Sequence, residues 1–449
     1  MADPATTAPP VPPPGLAILA RRILALAAPT TLGAAVQSAC QLIEPWLAAR
    51  QGTAALAGWA VVLPFALLMS QMSTGAMGGG IVSAIARALG AGRRDEASAL
   101  VLHALLIALG FASLFVAILA GFPHTLIGWI GGAEAASAAA GYCAWLFGLG
   151  AVPTWLANTL ASVLRGGGRH ALATRVLLLA WLCYPPLAWG LMEPAGLGLP
   201  GAAIAFGLCM WAATLGMAIA VFGGGAGFTP HLRVPLQAHL FKRILSVGLV
   251  ACGMATIANL TTILVTARLA AYGQSAVAAY GISARLEFLM VPLAFGVGSA
   301  LTALVGRAVG GGDWPTARRI AWVGAGMAFA VTVGVGLLVG LFPTATARVF
   351  SEDPAVVAIA RQALAIMGPA LPGFGVGMAL YFAAMGAGRM RGPFFGALAR
   401  IVTAVGGGWL LGDVLGLGLM GQFVAVALGI TVFGICAAIA VRPTVWSRH

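Results

Sequence analysis

Residues 98–122 read SALVLHALLIALGFASLFVAILAGF, a stretch without one charged side chain. About 20 such residues in a helix cross the roughly 30 Å hydrocarbon layer of a bilayer. Eleven more apolar runs of this kind lie between turn signals, at 23–49, 54–83, 140–164, 172–191, 201–223, 244–270, 276–304, 320–342, 356–385, 393–414 and 422–441. Over all 449 residues, 61% are hydrophobic and 8% charged, against about 25% charged in soluble domains. Too little polar surface exists to coat a water-soluble globule. Secreted, cytosolic and disordered classes are excluded, and the sequence predicts an all-α membrane protein of twelve transmembrane helices.

The net charge of +13 does not indicate a nucleic-acid partner, because the basic residues do not gather on one face among aromatics. They fall in short clusters, such as Arg87/Arg93/Arg94, Arg165/Arg169/Arg175 and Arg307/Arg318/Arg319, that skip every second loop. Cytoplasmic loops carry this bias. The alternate loops hold Glu134, Glu193 and Glu352/Asp353. Both termini are therefore expected in the cytoplasm. The six cysteines are scattered singly, without metal-type spacing. No histidine motif, hydrolytic constellation or nucleotide-binding loop occurs. An enzyme, a metal site and a cofactor are not expected.

Three landmarks repeat along the chain. Gly52-Thr53-Ala54-Ala55-Leu56-Ala57 returns as Gly273-Gln274-Ser275-Ala276-Val277-Ala278. Arg87–Gly92 returns as Arg307–Gly312, and Gly166–Arg169 as Gly386–Arg389. All three hold a common offset in the numbering, constant to within a single position. Two pseudo-symmetric six-helix lobes follow, and an even helix count per lobe makes them a parallel repeat. The expected organisation is a Pro-rich cytoplasmic tail (1–15), an N-terminal lobe (16–223), a cytoplasmic linker (224–243), a C-terminal lobe (244–441) and a cytoplasmic tail (442–449).

Polar residues inside hydrocarbon are expensive and therefore informative. Gln37, Gln41 and Glu44 stack on one helix face, as do Asn259, Thr262 and Thr266 in the repeat. These stripes either line a cleft between the lobes or join helices. Glu44 stands apart, since desolvation disfavours its charged form and suits it to load and release a proton. Pro45 follows it and removes a backbone donor at that turn. Arg285 and Glu287 are two apart and do not face one another, so each has a partner elsewhere or one snorkels. Arg50, Arg268, Arg400 and Asp413 lie near helix ends, where snorkelling is expected.

At these residues the chain resembles the MATE (multidrug and toxic compound extrusion) family over about residues 25–440. The resemblance rests on Glu44 followed by GTAALAG (Gly52–Gly58), on ARALGAG (Ala86–Gly92), on AAYGISARLE (Ala278–Glu287) and on GRAVGGGD (Gly306–Asp313). It implies a secondary antiporter that exports organic cations or amphiphiles against H⁺ or Na⁺ by alternating access. Glu44 matches the family's first-helix acid and Pro29 the earlier proline, which makes Pro29 and Pro45 the candidate helix hinges. The fifth-helix Asn and Asp of ion-binding members fall at Ala180 and Tyr184, and acids of sodium-coupled members fall at Ala258 and near Phe374. Sodium needs several hard oxygen ligands and a proton needs one carboxylate, so these departures favour H⁺.

The expected function is a proton-coupled efflux antiporter in a bacterial inner membrane, working as a monomer. Glu44 carries the proton, and Gln37, Gln41, Asn259, Thr262, Arg285 and Glu287 are candidates for the substrate cleft. Its rivals are sodium coupling, a lipid-linked sugar flippase of the same superfamily, and a non-transporting scaffold in which the polar stripes only join helices.

Overall fold

The structure, a computed structural model, describes residues 15–446; within it the side chains of residues 130–136, 138, 288, 289, 292 and 293 are not described. Residues 1–14 of the Pro-rich tail, residues 447–449 and the side chain of Glu134 thus lie outside the described residues. Where water is absent, every backbone N–H and C=O must pair within its own segment, which selects helices. Twelve long helices result: α1 (Leu16–Arg50), α2 (Thr53–Gly90), α3 (Arg94–Ala120), α4 (Pro123–Gly166), α5 (His170–Met192), α6 (Leu199–Gly225), α7 (Ala238–Tyr272), α8 (Gln274–Gly310), α9 (Trp314–Leu341), α10 (Pro354–Ala387), α11 (Arg391–Val414) and α12 (Gly418–Ala440). A short helix, Pro343–Phe350, sits between α9 and α10. Among the described residues there is no strand. The twelve expected spans fall on these helices, which extend a few residues further at most ends, and α4 begins well before its expected start at 140.

The repeat is written into the turns. Left-handed glycines recur as Gly52/Gly273, Gly92/Gly312, Gly168/Gly388, Gly196/Gly416 and Gly198/Gly418, every pair in the register of the sequence repeat. The helix ends close alike: the Arg93 N–H donates to the Ala88 carbonyl and the Asp313 N–H to the Ala308 carbonyl, both at 2.9 Å. In each case the bond spans a glycine in the left-handed conformation, the usual way to satisfy the last carbonyls of a helix.

The first lobe has a single large apolar core in which Phe111 stacks on Trp155 at 5.1 Å and Phe115 lies 6.2 Å from the same ring. The second lobe is divided among smaller clusters. Between them the connecting chain is tied to α3. Its His231 N–H donates to Ser98 Oγ at 2.8 Å, and its Gln237 N–H donates to His103 Nε2 at 2.9 Å. Because Nε2 accepts, the imidazole is neutral and its Nδ1–H donates to the Ala99 carbonyl at 2.8 Å. At the C-terminus Trp446 is fully buried, edge-on to Trp314 at 6.4 Å, and its carbonyl accepts from Arg318.

The lobes meet where small residues let backbones approach. A Cβ on Gly90 would run into the Arg307 carbonyl, and one on Gly310 into the Arg87 carbonyl, a reciprocal contact across the pseudo-twofold axis. Arg307 reaches across the junction and donates to the Gly167 carbonyl at 3.0 Å, while the Arg87 guanidinium lies against Gly388. Ser83 Oγ donates to the Met385 carbonyl at 2.6 Å. Packing between the lobes runs from this basic end up to Thr31 of α1, which sits against Gly296 of α8.

Candidate coupling site in the first lobe and a charge pair in the second

Helix α1 breaks at Leu42, between the segments Leu16–Gln41 and Ile43–Arg50. Pro45 has no N–H to offer the Gln41 carbonyl four residues back, and the Leu42 N–H turns to the Ala39 carbonyl at 3.2 Å. Pro29, by contrast, lies inside the unbroken segment. The next residue, Thr30, is buried and shares a 3.2 Å hydrogen bond with His170 Nδ1.

Just past the break, the Glu44 carboxyl enters a pocket of hydroxyls and rings. Tyr142 of α4 donates its O–H to Glu44 Oε1. The Tyr184 hydroxyl of α5 and the Trp59 indole of α2 face the same carboxyl. Both tyrosines are at most 3% exposed. Tyr184 is fixed edge-on by Trp181 at 5.9 Å and Phe206 at 6.0 Å. Among the described residues no arginine pairs with Glu44, and no cluster of three His, Cys, Asp or Glu side chains stands ready for a metal. The group is neither in lipid nor neutralised.

Gln37 and Gln41 are half-buried on the same face of α1. Asn259 is exposed on α7 and returns its amide to the Ala255 carbonyl at 2.9 Å; Thr262 and Thr266 bond back to their own helix at 3.3 and 2.8 Å. Their local polarity is thus largely satisfied within α7, while Thr262 also faces Tyr280. Arg285 is exposed on α8.

Glu287 has a different partner from its sequence neighbour. Arg400 of α11 donates to it at 2.5 Å, with both side chains less than one-fifth exposed. Tyr280 adjoins the pair, and the Phe374 ring lies 5.9 Å from the guanidinium. Snorkelling, expected for Arg400, is therefore replaced by a buried ion pair. At the helix ends Arg50 pairs with Glu193 at 2.7 Å and Arg268 with Asp413 at 2.6 Å, one such pair in each lobe.

The repeat exposes an asymmetry. In the register of the turns nearest each position, Glu44 and Tyr184 correspond to Val265 and Ala404, which share one apolar cluster, while Tyr142 corresponds to the exposed Gln362 of α10. The second lobe has an apolar residue in place of this carboxyl and carries its charge elsewhere. Sequence reasoning did not find Tyr142 or Trp59 as partners of Glu44. The available signal was scarcity, since two of only five tyrosines meet at this carboxyl.

Twelve helices in two like-oriented halves, with a lone carboxyl held inside the first, define a two-lobed polytopic membrane protein. The MatE family pattern matches residues 29–189 and again 251–410, one match per lobe and in the register of the repeat. The chain belongs to the MatE family, as the resemblance in its sequence implies. It is 30% identical to a probable multidrug resistance protein NorM of Deinococcus radiodurans, over 92% of this chain and 93% of that one. A probable NorM of Rhodopseudomonas palustris is 29% identical over 91% and 88%. In fold it is similar to a MATE protein solved in a bent conformation, with a TM-score of 0.88, 22% identity, and coverage of 96% of this chain and 97% of that one. A MOP-superfamily transporter from Pyrococcus furiosus gives a TM-score of 0.87 at 22% identity, over 96% and 98%.

Proposed function

We propose that this protein is a secondary antiporter of a bacterial inner membrane that exports organic cations or amphiphiles in exchange for protons. The observation that carries the reading is Glu44, which accepts from Tyr142, has the Tyr184 hydroxyl and the Trp59 indole facing it and, among the described residues, has no cationic partner. As a carboxylate it accepts a charge-assisted hydrogen bond from Tyr142, about twice as strong as a neutral one. A proton taken up on the carboxyl removes the charge and weakens that bond. The adjoining break at Leu42 then lets the last turns of α1 rearrange, which shifts the population between two access states. The NorM names of the relatives support multidrug export. Proton rather than sodium coupling is supported by the donor set: one carboxylate with two phenols offers few of the hard oxygens a sodium ion needs.

The basic turns at the closed junction belong on the cytoplasmic face by their charge, so this conformation is read as open outward with both termini inside. Loading everted vesicles with a cationic dye tests the proposal. Wild type is expected to drive dye accumulation under a pH gradient, and Glu44→Gln to abolish it while leaving the protein folded. Undiminished transport by Glu44→Gln removes the role assigned here. Strict loss of wild-type transport when Na⁺ is replaced by choline at fixed pH removes the proton preference.

A further inference from the structure

The basic clusters of the sequence include Arg165, which reads as one more charge in a loop. It is not one. Arg165 occupies the last turn of α4 and is 4% exposed, with its guanidinium turned inward, 5.4 Å from the Phe295 ring of α8. Its Nε and Nη1 are buried, and among the described residues no acceptor reaches them. Facing it from the second lobe is Ser299, 5% exposed, whose Oγ also has no partner. Two of the neighbouring hydroxyls are already committed. Ser162 donates to the Asn158 carbonyl at 2.8 Å and Thr302 to the Gly298 and Phe382 carbonyls at 3.0 and 2.9 Å.

A guanidinium stays charged at any accessible pH, and leaving it buried and uncompensated is among the costliest arrangements a protein can hold. Among the described residues no carboxylate supplies the missing charge. Glu44 is bound by Tyr142 and Glu287 by Arg400. Glu96 is shared by Arg93 and Arg243, while Glu193 and Asp413 are taken by Arg50 and Arg268. Asp313 and Asp353 cap helices, and Asp95 and Glu352 are exposed. His170, which adjoins Arg165, shares a hydrogen bond at Nδ1 with Thr30 and carries no negative charge.

The guanidinium and Ser299 line one slot between the lobes, together with Thr74 and Gly75. A wide π-type turn at Gln71–Ala76 brings those two residues to it, a distortion often found at functional sites. The slot holds about 10 Å³, which is room for one water-sized particle and too little for a carboxylate-bearing substrate. We infer that Arg165 of the first lobe and Ser299 of the second form a binding site for one monatomic anion, chloride being the abundant candidate. Both lobes contribute donors, so the ion holds them together at this junction. The site is separate from Glu44 and independent of the substrate.

Radiolabelled chloride binding to the purified full-length protein, with gluconate as the replacement anion, tests this. Wild type is expected to bind one chloride per chain saturably and to melt about 1–2 °C higher in saturating chloride than in gluconate, the size of shift one modest ligand gives a large fold. Arg165→Met, which copies Met385 of the second lobe, is expected to lose both effects. Ser299→Ala keeps the guanidinium and is expected to weaken chloride binding several-fold, which keeps the test decisive should Arg165→Met fail to fold. Absence of saturable binding by wild type overturns the inference, as does equal binding by Ser299→Ala, or by a folded Arg165→Met.

Discussion

Among the described residues, two carboxylates, Glu44 and Glu287, lie within the apolar helices, and their surroundings differ. Glu287 meets Arg400 at 2.5 Å, so its charge is cancelled in place. Removing one member of a buried ion pair strands the other and costs about 3–5 kcal/mol, whereas replacing both by hydrophobic residues is often neutral. Glu287→Gln is therefore expected to lower the melting temperature markedly, while Glu287→Leu combined with Arg400→Leu restores most of it. A double variant that melts as low as the single one shows that the pair is more than mutual neutralisation. Glu44 has no cation to strand, and Glu44→Gln is expected to melt close to wild type. Its dependence is on Tyr142. Tyr142→Phe keeps the buried ring and deletes a hydrogen bond to a charged group, worth about 1.5–3 kcal/mol. Roughly tenfold slower dye export is expected, with the melting temperature lowered by a few degrees at most. Export at the wild-type rate would leave Tyr142 as packing only.

Helix α1 concentrates what an element can contribute: a carboxyl side chain beside an interruption. Restoring the donor with Pro45→Ala closes the bond from residue 45 to the Gln41 carbonyl and extends α1 through Leu42. The variant is expected to melt higher and export more slowly, read by thermal unfolding and initial efflux rates in the same preparation. A higher melting point with undiminished export would make the break a packing feature. Elements are also where the sequence is most legible. Apolar length defines a membrane helix locally, and a left-handed turn demands glycine locally, so the twelve spans and the internal repeat are readable without a partner in view. Glu44 is readable for the same reason, as a charge in an apolar run. Tyr142 is not, because its meaning depends on α4, far along the chain, crossing α1 at this point. Arg400 and Arg165 mislead in the same manner: each is a long side chain that can turn outward or inward, and only the neighbouring helix decides.

At the scale of the molecule the question is how two lobes that resemble each other close at one end. The answer is a reciprocal exchange: Gly90 packs under the Arg307 carbonyl, Gly310 under the Arg87 carbonyl, and each arginine lies over the glycine turn of the opposite lobe, Arg307 over Gly167–Gly168 and Arg87 over Gly388. Backbones this close leave no room for a side chain, so Gly90→Val or Gly310→Val must push the lobes apart at the junction. By the pseudo-symmetry the two substitutions are expected to act alike, each shifting the equilibrium toward the state open at the basic face. Spin labels at positions 94 and 391, in a chain whose six native cysteines are replaced, report the separation across the junction. Wild type is expected to give mainly the short distance, and each valine variant to populate a longer one. Dye export should fall in both, because a transporter biased to one access state completes its cycle less often. If either variant retains the wild-type distance distribution, the glycine contacts do not set the closure, and the arginines over the opposite turns are left to hold it alone.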